Sequence, residues 1–450
     1  MPWGAVKMAT TYSENLEHAL GEPAVAPTRS NERIGALDFV RGWALFGILL
    51  MNITGFGLSN AYYNPLNNGG ATGADLMSWQ VIQIFFDGTQ RGLFSLLFGA
   101  GIILLTSKLE ERDPVNASDI YMRRNLWLIG FGMVNVWILL WPGDILYTYG
   151  VTALFAYGFR KLMPRWLIAI GLASLALVAF NNYSFAQDSL ESYEQAQAAL
   201  AVENAGGTLT EEQTAAISAW RAAEAEHTLS AEAVAADIAA HRNGWRSTQE
   251  AIAPLAVWLQ TTHLYYAFGD VFGMMLIGMA LFKLGVLTLA RPVALYVGML
   301  LVGYGIGLPV NVMEARWIVD NNFSLLAFSQ ANVTFDVGRL SMTLGHLGLL
   351  LLLYRSGLFG WLRRSMAAVG QMALTNYLTH SVVCAIIFTG FGLFGALQRH
   401  ELYYIWASIC VVQLVISPIW LRHYRFGPLE WFWRLLTYWQ KPGFRRPTAA

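Results

Sequence analysis

The sequence predicts an all-α, polytopic transmembrane helical bundle of about ten spans with an extramembrane helical insert, and three observations carry that prediction. Hydrophobic residues make up 55% of the 450 and charged residues only 13%, against roughly 25% charged in soluble domains. Apolar runs long enough to cross a bilayer recur along the chain. The connections between them carry Lys and Arg in alternation, the pattern that sets orientation in a membrane. Lys and Arg number 29, as do Asp and Glu, so the charge balance gives no reason to expect nucleic acid as a partner. Cys384 and Cys410 both fall in apolar runs, which argues against a disulfide framework or a thiolate metal site.

The first 33 residues are polar and lack a basic start leading into an apolar run with a small-residue cleavage site. They read as an uncleaved cytoplasmic tail. Residues 37–58 form the first span, which carries Asp38, Arg41 and Asn52. An ionised residue near mid-bilayer costs about 2.5–3.5 kcal/mol on insertion scales, so these groups need partners. Asp38 lies three residues before Arg41 and Asn52 eleven after it, which returns them to one helical stripe. Either that stripe faces the bundle interior, or Arg41 snorkels to headgroups with Asp38 neutralising it.

An outer loop follows, turn-rich with Tyr62, Tyr63, Pro65, Asn67, Asn68, Gly69 and Gly70. The second span, 76–107, is interrupted by Asp87, Gly88 and Arg91. Asp87 and Arg91 stand at ion-pair spacing, and the interruption also permits a broken or re-entrant helix. Further spans are expected at 121–141, 145–160, 164–182, 252–283, 289–308, 334–354, 366–390 and 402–421. Alternate connections hold Lys108, Arg112, Arg123 and Arg124, then Arg160, Lys161 and Arg165, then Lys283 and Arg291, then Arg355, Arg363 and Arg364, then Arg422 and Arg425. Both termini are therefore expected in the cytoplasm.

This divides the chain into a five-span bundle over 34–182, an outer insert over 183–250 and a second five-span bundle over 251–422. The insert is rich in Ala and Glu, with eleven acidic residues against Arg221, Arg242 and Arg246. Its composition favours helix, Gly206-Gly207 breaks it, and Thr210 with Gln213 resembles a capping box. A helical hairpin acting as a solvated lid or spacer fits, as does a coiled contact between two copies in a homodimer. Residues 423–450 read as a cytoplasmic interfacial helix and tail, because Trp431, Trp433, Tyr438 and Trp439 alternate with basic residues, and Glu430 precedes Arg434 by four. This helix is a collar or part of a cytoplasmic binding mouth, and membrane lipids are its expected partners.

Four spans carry titratable groups inward. His263 and Asp270 are seven apart, as are Arg339 and His346, with Asp336 one turn before Arg339. Asn376 and His380 share a face at i,i+4. A polar cavity open to the outer side accounts for this set. Histidine gives and takes protons near neutral pH, and an acidic neighbour such as Asp270 can orient its ring. That makes His346, His380 and His263 candidate bases, while Arg41, Arg91, Arg123 and Arg124 suit a phosphate-bearing donor. The competing role is structural, since polar groups also cross-link helices in lipid. Gly303, Gly305 and Gly307 favour close helix packing rather than phosphate binding. No HExxH, paired CxxC, Walker loop or Gly-x-Ser-x-Gly elbow is present.

Four stretches carry a family resemblance: Arg33-Ile-Gly-Ala-Leu-Asp-Phe-Val-Arg-Gly-Trp-Ala-Leu-Phe-Gly-Ile-Leu-Leu-Met-Asn, Leu93-Phe-Ser-Leu-Leu-Phe-Gly-Ala-Gly, Gly370-Gln-Met-Ala-Leu-Thr-Asn-Tyr-Leu-Thr-His-Ser and Phe426-Gly-Pro-Leu-Glu-Trp-Phe-Trp-Arg-Leu-Leu-Thr-Tyr. In this order they resemble the YeiB-like family of bacterial inner-membrane proteins, whose C-terminal region is a domain of unknown function (domain of unknown function 418). More distantly, the Leu37-Asp38-x-x-Arg41-Gly42 opening is similar to that of transmembrane acyltransferases such as heparan-alpha-glucosaminide N-acetyltransferase. That similarity implies acyl transfer from a cytoplasmic acyl-CoA co-substrate, with no tightly bound cofactor, to an envelope sugar, lipid or small-molecule acceptor. Those enzymes use a histidine soon after the first such helix, whereas residues 56–80 hold none here. On this expectation Asp38, Arg41 and Arg91 organise the donor side and His346 or His380 supplies the base. A permease using the same buried Asp, Arg and His path is the alternative, and a membrane scaffold without catalysis is a third.

Overall fold

The computed structural model describes residues 34–59, 64–68 and 71–446. The expected tail over 1–33 and the Tyr62, Tyr63, Gly69 and Gly70 positions of the first outer loop lie outside the described residues.

Among the described residues the fold is all-α, and it begins with α1, Gly35–Gly57. The interrupted second span is two helices, α2 (Gly73–Phe85) and α3 (Thr89–Arg112). Gly88 joins them with a φ of 64°, and a Cβ there would press on the Arg339 side chain, so both backbone and space require glycine. Next come α4 (Ala117–Trp137), α5 (Leu146–Ala156) and α6 (Pro164–Asn204). Helix α6 starts with proline at its first turn and runs 41 residues, so the change in composition at residue 183 falls inside one continuous helix.

The remainder of the insert is α7 (Glu211–His227), α8 (Ala231–Arg242) and α9 (Trp245–Gln260). The capping box forms as the sequence indicates: Thr210 Oγ1 accepts from the Gln213 N–H at 3.2 Å, and the Gln213 side chain accepts from the Thr210 N–H at 3.0 Å. The chain then returns through α10 (Thr262–Lys283), α11 (Val293–Asp320) and α12 (Leu325–Ser356). The span expected at 252–283 is thus narrower, because Thr261 leaves helical geometry and separates α9 from α10. The span expected from 366 likewise splits at Met372 into α13 (Gly360–Gln371) and α14 (Ala373–Cys384), the latter continued by a wide turn over Ala385–Gly390. Helices α15 (Arg399–His423) and α16 (Pro428–Tyr438) complete the order.

Eight segments among the described residues are long and apolar enough to cross a membrane: α1, α2 with α3, α6, α10, α11, α12, α14 with its wide turn, and α15. The spans expected at 121–141 and 145–160 fall short of that standard. Helix α4 carries Asp119, Arg123 and Arg124 in its first half, and α5 has only 11 residues. The two pack as a hairpin, fastened where Tyr121 donates to the Ala153 carbonyl at 2.8 Å.

Helix ends meet at two faces. At the near face, where α1 begins, Lys283 donates to the carbonyls of Arg160 and Leu162, Arg160 pairs with Glu110 at 2.8 Å, and Arg355 donates to the Arg291 carbonyl. At the far face, where α1 ends, the Gly395 N–H bonds the Gly57 carbonyl, Asn64 donates to Thr228, His400 meets Asp75 and Trp245 donates to the Ile138 carbonyl. The insert therefore belongs to the far face. Close approach inside the bundle uses small residues. Gly99 and Gly278 bring α3 and α10 into backbone contact, and Gly303 and Gly307 bring α11 against α12, whereas Gly305 has open space beside it.

Candidate functional site

Charge gathers at two places in this fold. The first lies beside the α2–α3 break. Arg339 on α12 reaches Asp270 of α10 at 2.7 Å and Asp336 of its own helix at 2.6 Å, and Arg91 on α3 reaches the same Asp270 oxygen at 2.9 Å. Asn182 of α6 donates to Asp336 at 3.0 Å, so four helices are tied together. The Arg339 and Asp270 side chains are only 2% and 7% exposed, while Arg91 is 38% exposed. The Asp87–Arg91 pairing that the spacing suggested gives way to Arg91–Asp270. The break turns Asp87 toward Gln83, which donates to it at 3.1 Å.

The histidines occupy separate settings. His346 bonds the Met342 carbonyl at 2.9 Å through Nδ1 and packs its ring against Phe86 and Tyr304. His380 meets Gln413 of α15 at 2.9 Å, and Gln413 in turn donates to the Asn376 carbonyl. Asn376 donates to the Val369 carbonyl and to Ser417, so this set fastens α14 to α15. His263 stacks on Trp258 at the start of α10. Asn52 is half-buried on α1.

The second place is a cavity of about 260 Å³ opening toward the near face. Helices α1, α3, α4, α5, α13, α14 and α16 contribute to it. Its walls are apolar, including Phe94, Phe98, Leu105 and Leu128, and its charged rim combines Asp38, Arg41, Arg124, Glu430 and Arg434. Asp38 accepts from Arg41 at 2.8 Å. A Cβ on Gly370 would collide with the Asp38 carbonyl, and one on Gly42 with the Met366 carbonyl, so glycines let α13 lie directly on α1 and shape this rim. Glu430, in the first turn of α16, accepts from both the N–H (3.0 Å) and the hydroxyl (2.6 Å) of Thr375. Burial pushes its carboxyl above the ordinary glutamate range, against those hydrogen bonds.

Arg124 differs from its neighbours. Its guanidinium lies 3.6 Å over the Trp433 ring and has no ion pair among the described residues, whereas adjacent Arg123 pairs with Asp119. Trp433 also donates to the Arg124 carbonyl at 2.9 Å, so α16 is held to α4 at the cavity mouth. Helix α16 is accordingly part of this wall.

Of the expected site residues, Asp38 and Arg41 line the cavity; Asp270, Asp336, Arg339 and Arg91 share the ionic cluster; and His263, His346, His380, Asp87, Asn52 and Asn376 line neither side of the cavity. Sequence reasoning passed over Tyr377 and Glu430 as site residues, although both sit inside the quoted Gly370–Ser381 and Phe426–Tyr438 stretches. It also passed over Asp144, the acidic residue of a connection otherwise without charge.

The protein-family comparison matches residues 281–440 to the family described as protein of unknown function (DUF418). The chain is 29% identical over 431 residues to the uncharacterized protein YxaH of Bacillus subtilis (strain 168), covering 93% of this chain and 98% of that protein. It is 25% identical over 422 residues to an uncharacterized 39.9 kDa protein of the amylase 3' region of Bacillus acidopullulyticus, covering 92% and 96%. No solved structure matches. With the uncharacterized protein YeiB of Escherichia coli (strain K12) the identity is 31% over 431 residues, covering 90% of this chain and 96% of that protein, and the chain belongs to the YeiB-like DUF418 family.

Proposed function

We propose that this chain is a membrane acyltransferase that receives an acyl group from a cytoplasmic acyl-CoA and passes it to an envelope sugar, lipid or small-molecule acceptor. The near face is then cytoplasmic, both termini lie there, and the setting is the bacterial inner membrane. The basic residues of the near-face connections support that orientation. One observation carries the reading: Arg124, a guanidinium with no carboxylate partner among the described residues, stands at the mouth of a cavity whose walls are apolar. A half-buried guanidinium without an ion pair costs free energy, and an anionic head group relieves that cost. Phosphates of a thioester donor fit Arg41, Arg124 and Arg434, and its acyl chain fits the Phe94–Phe98 wall.

The test is equilibrium binding of radiolabelled palmitoyl-CoA and acetyl-CoA to the purified full-length protein. Arg124→Ala is expected to weaken palmitoyl-CoA binding by about tenfold, in line with the loss of one charge-assisted contact. The exposed Arg246→Ala, whose partner is Glu250 on the insert, leaves binding unchanged. Absence of saturable binding to the folded wild type removes the acyl-donor reading.

A permease is the second reading, supported by the Arg91–Asp270–Arg339–Asp336 chain within the membrane and by the partial exposure of Arg91. It gains ground if thioesters do not bind and proteoliposomes move a charged solute in a manner dependent on Arg91.

A further inference from the structure

The cavity wall includes a tyrosine backed by a carboxylate. Tyr377 lines the cavity, and its hydroxyl donates to Asp144 Oδ1 at 3.3 Å. The same hydroxyl oxygen accepts the Ile145 N–H at 3.2 Å. The Trp141 side chain also meets this hydroxyl. Asp144 is itself built into place: Asn135 donates to Oδ1 at 2.7 Å and the Tyr147 N–H to Oδ2 at 2.8 Å. None of His263, His346 and His380 is among the cavity-lining residues.

The segment carrying Asp144 is anchored from the opposite side by the insert. Trp245 donates to the Ile138 carbonyl at 2.8 Å, and the Trp137 indole donates to Gln260 at 3.2 Å. Within it, buried Leu140 holds a φ of 62°, a left-handed conformation unusual for a branched side chain. Such outliers persist where the surroundings over-determine them, and they concentrate at working sites. The segment is therefore held between the cavity-lining Tyr377 and the far-face insert.

We propose that Tyr377 is the catalytic base of this cavity and Asp144 its positioning residue, for transfer of an acyl group from a thioester to a hydroxyl or amine. This rests on the acyl-transfer reading above. Tyr377 takes the proton of the acceptor as its oxygen or nitrogen attacks the thioester carbonyl, while Asp144 receives the phenolic proton. The tetrahedral intermediate collapses, the C–S bond breaks, and the proton returns through Tyr377 to the departing thiolate. Thioester and acceptor become ester or amide and free thiol, with no other reactant consumed.

The experiment uses membrane vesicles containing the full-length chain and palmitoyl-CoA labelled in the acyl group. It reads free thiol release, label transferred to extractable material, and binding of the intact thioester. Tyr377→Phe is expected to keep KM and binding within threefold while kcat falls at least a hundredfold. Asp144→Asn lowers kcat at least tenfold at unchanged KM, and Asp144→Glu recovers part of that loss. Wild-type turnover by Tyr377→Phe overturns the assignment, as does a defect confined to KM. Binding by the wild type without thiol release also overturns it while leaving the donor cavity intact. No binding at all overturns the acyl-donor reading itself, which separates the two failures.

Discussion

Two regions concentrate charge in this bundle, and they use it in opposite ways. In the cluster beside the α2–α3 break, each guanidinium has a carboxylate within 2.9 Å, and the bonds run across α3, α6, α10 and α12. Such a network holds helices in register in a medium where the hydrophobic effect contributes little between them. At the near-face cavity Asp38 and Arg41 pair within one helix, while Arg124 rests on an aromatic ring with no ion pair among the described residues. Intramembrane charge that satisfies itself is architecture. Charge left facing an apolar-walled cavity is the better signature of a ligand.

Substitutions that separate stability from binding break or sharpen this contrast. Arg339→Leu has the largest expected effect, because it leaves Asp270 and Asp336 buried without their shared cation. A loss of about 3–5 kcal/mol is expected for breaking such a pair, read as a sharply shortened unfolding half-life in detergent. If Arg339→Leu is as durable as wild type, the cluster is not the structural tie described. Gly370→Ala comes next. Its methyl group forces α13 away from the Asp38 carbonyl, at about 1–3 kcal/mol, and the displaced Arg41 rim weakens thioester binding in the same assay. Arg124→Ala reverses the order of readouts, with binding lost about tenfold and stability lowered only by the about 0.5–1 kcal/mol of its cation–π contact with Trp433.

The smallest effect concerns Glu430. A carboxyl raised in the folded state holds its proton more tightly there than in the unfolded chain. Its contribution to docking of α16 is therefore complete below the ordinary glutamate pKa of about 4.3 and is lost as pH rises through the raised value. Protease protection of residues 428–438 should decline across that rise in wild type and lose this slope in Glu430→Gln. An identical slope in the variant assigns the pH dependence to another group.

The bundle was legible because its main signals are local. Span length, polar stripes and capping chemistry repeat within one or two helical turns, as Thr210 with Gln213 and Asp336 with Arg339 illustrate. The site was legible only in part. Asp38 and Arg41 share a helix turn, so their neighbourhood could be read from spacing. Arg124 meets Trp433 across 309 positions and Tyr377 meets Asp144 across 233, separations that no periodicity encodes. The helix edges shifted where backbone geometry rather than hydropathy decided them, at Thr261 and Met372.

By itself the sequence determined an all-α membrane protein with a polar far-face insert, because apolar length, the placement of basic residues and composition act without regard to which helix meets which. Tertiary structure alone decided which charges became ties and which were left at a cavity. That outcome depends on the Gly42–Gly370 contact bringing α13 onto α1 and on α16 closing over α4. Packing distances of a few ångströms select the ion pairs, and those distances exist only once the helices have assembled.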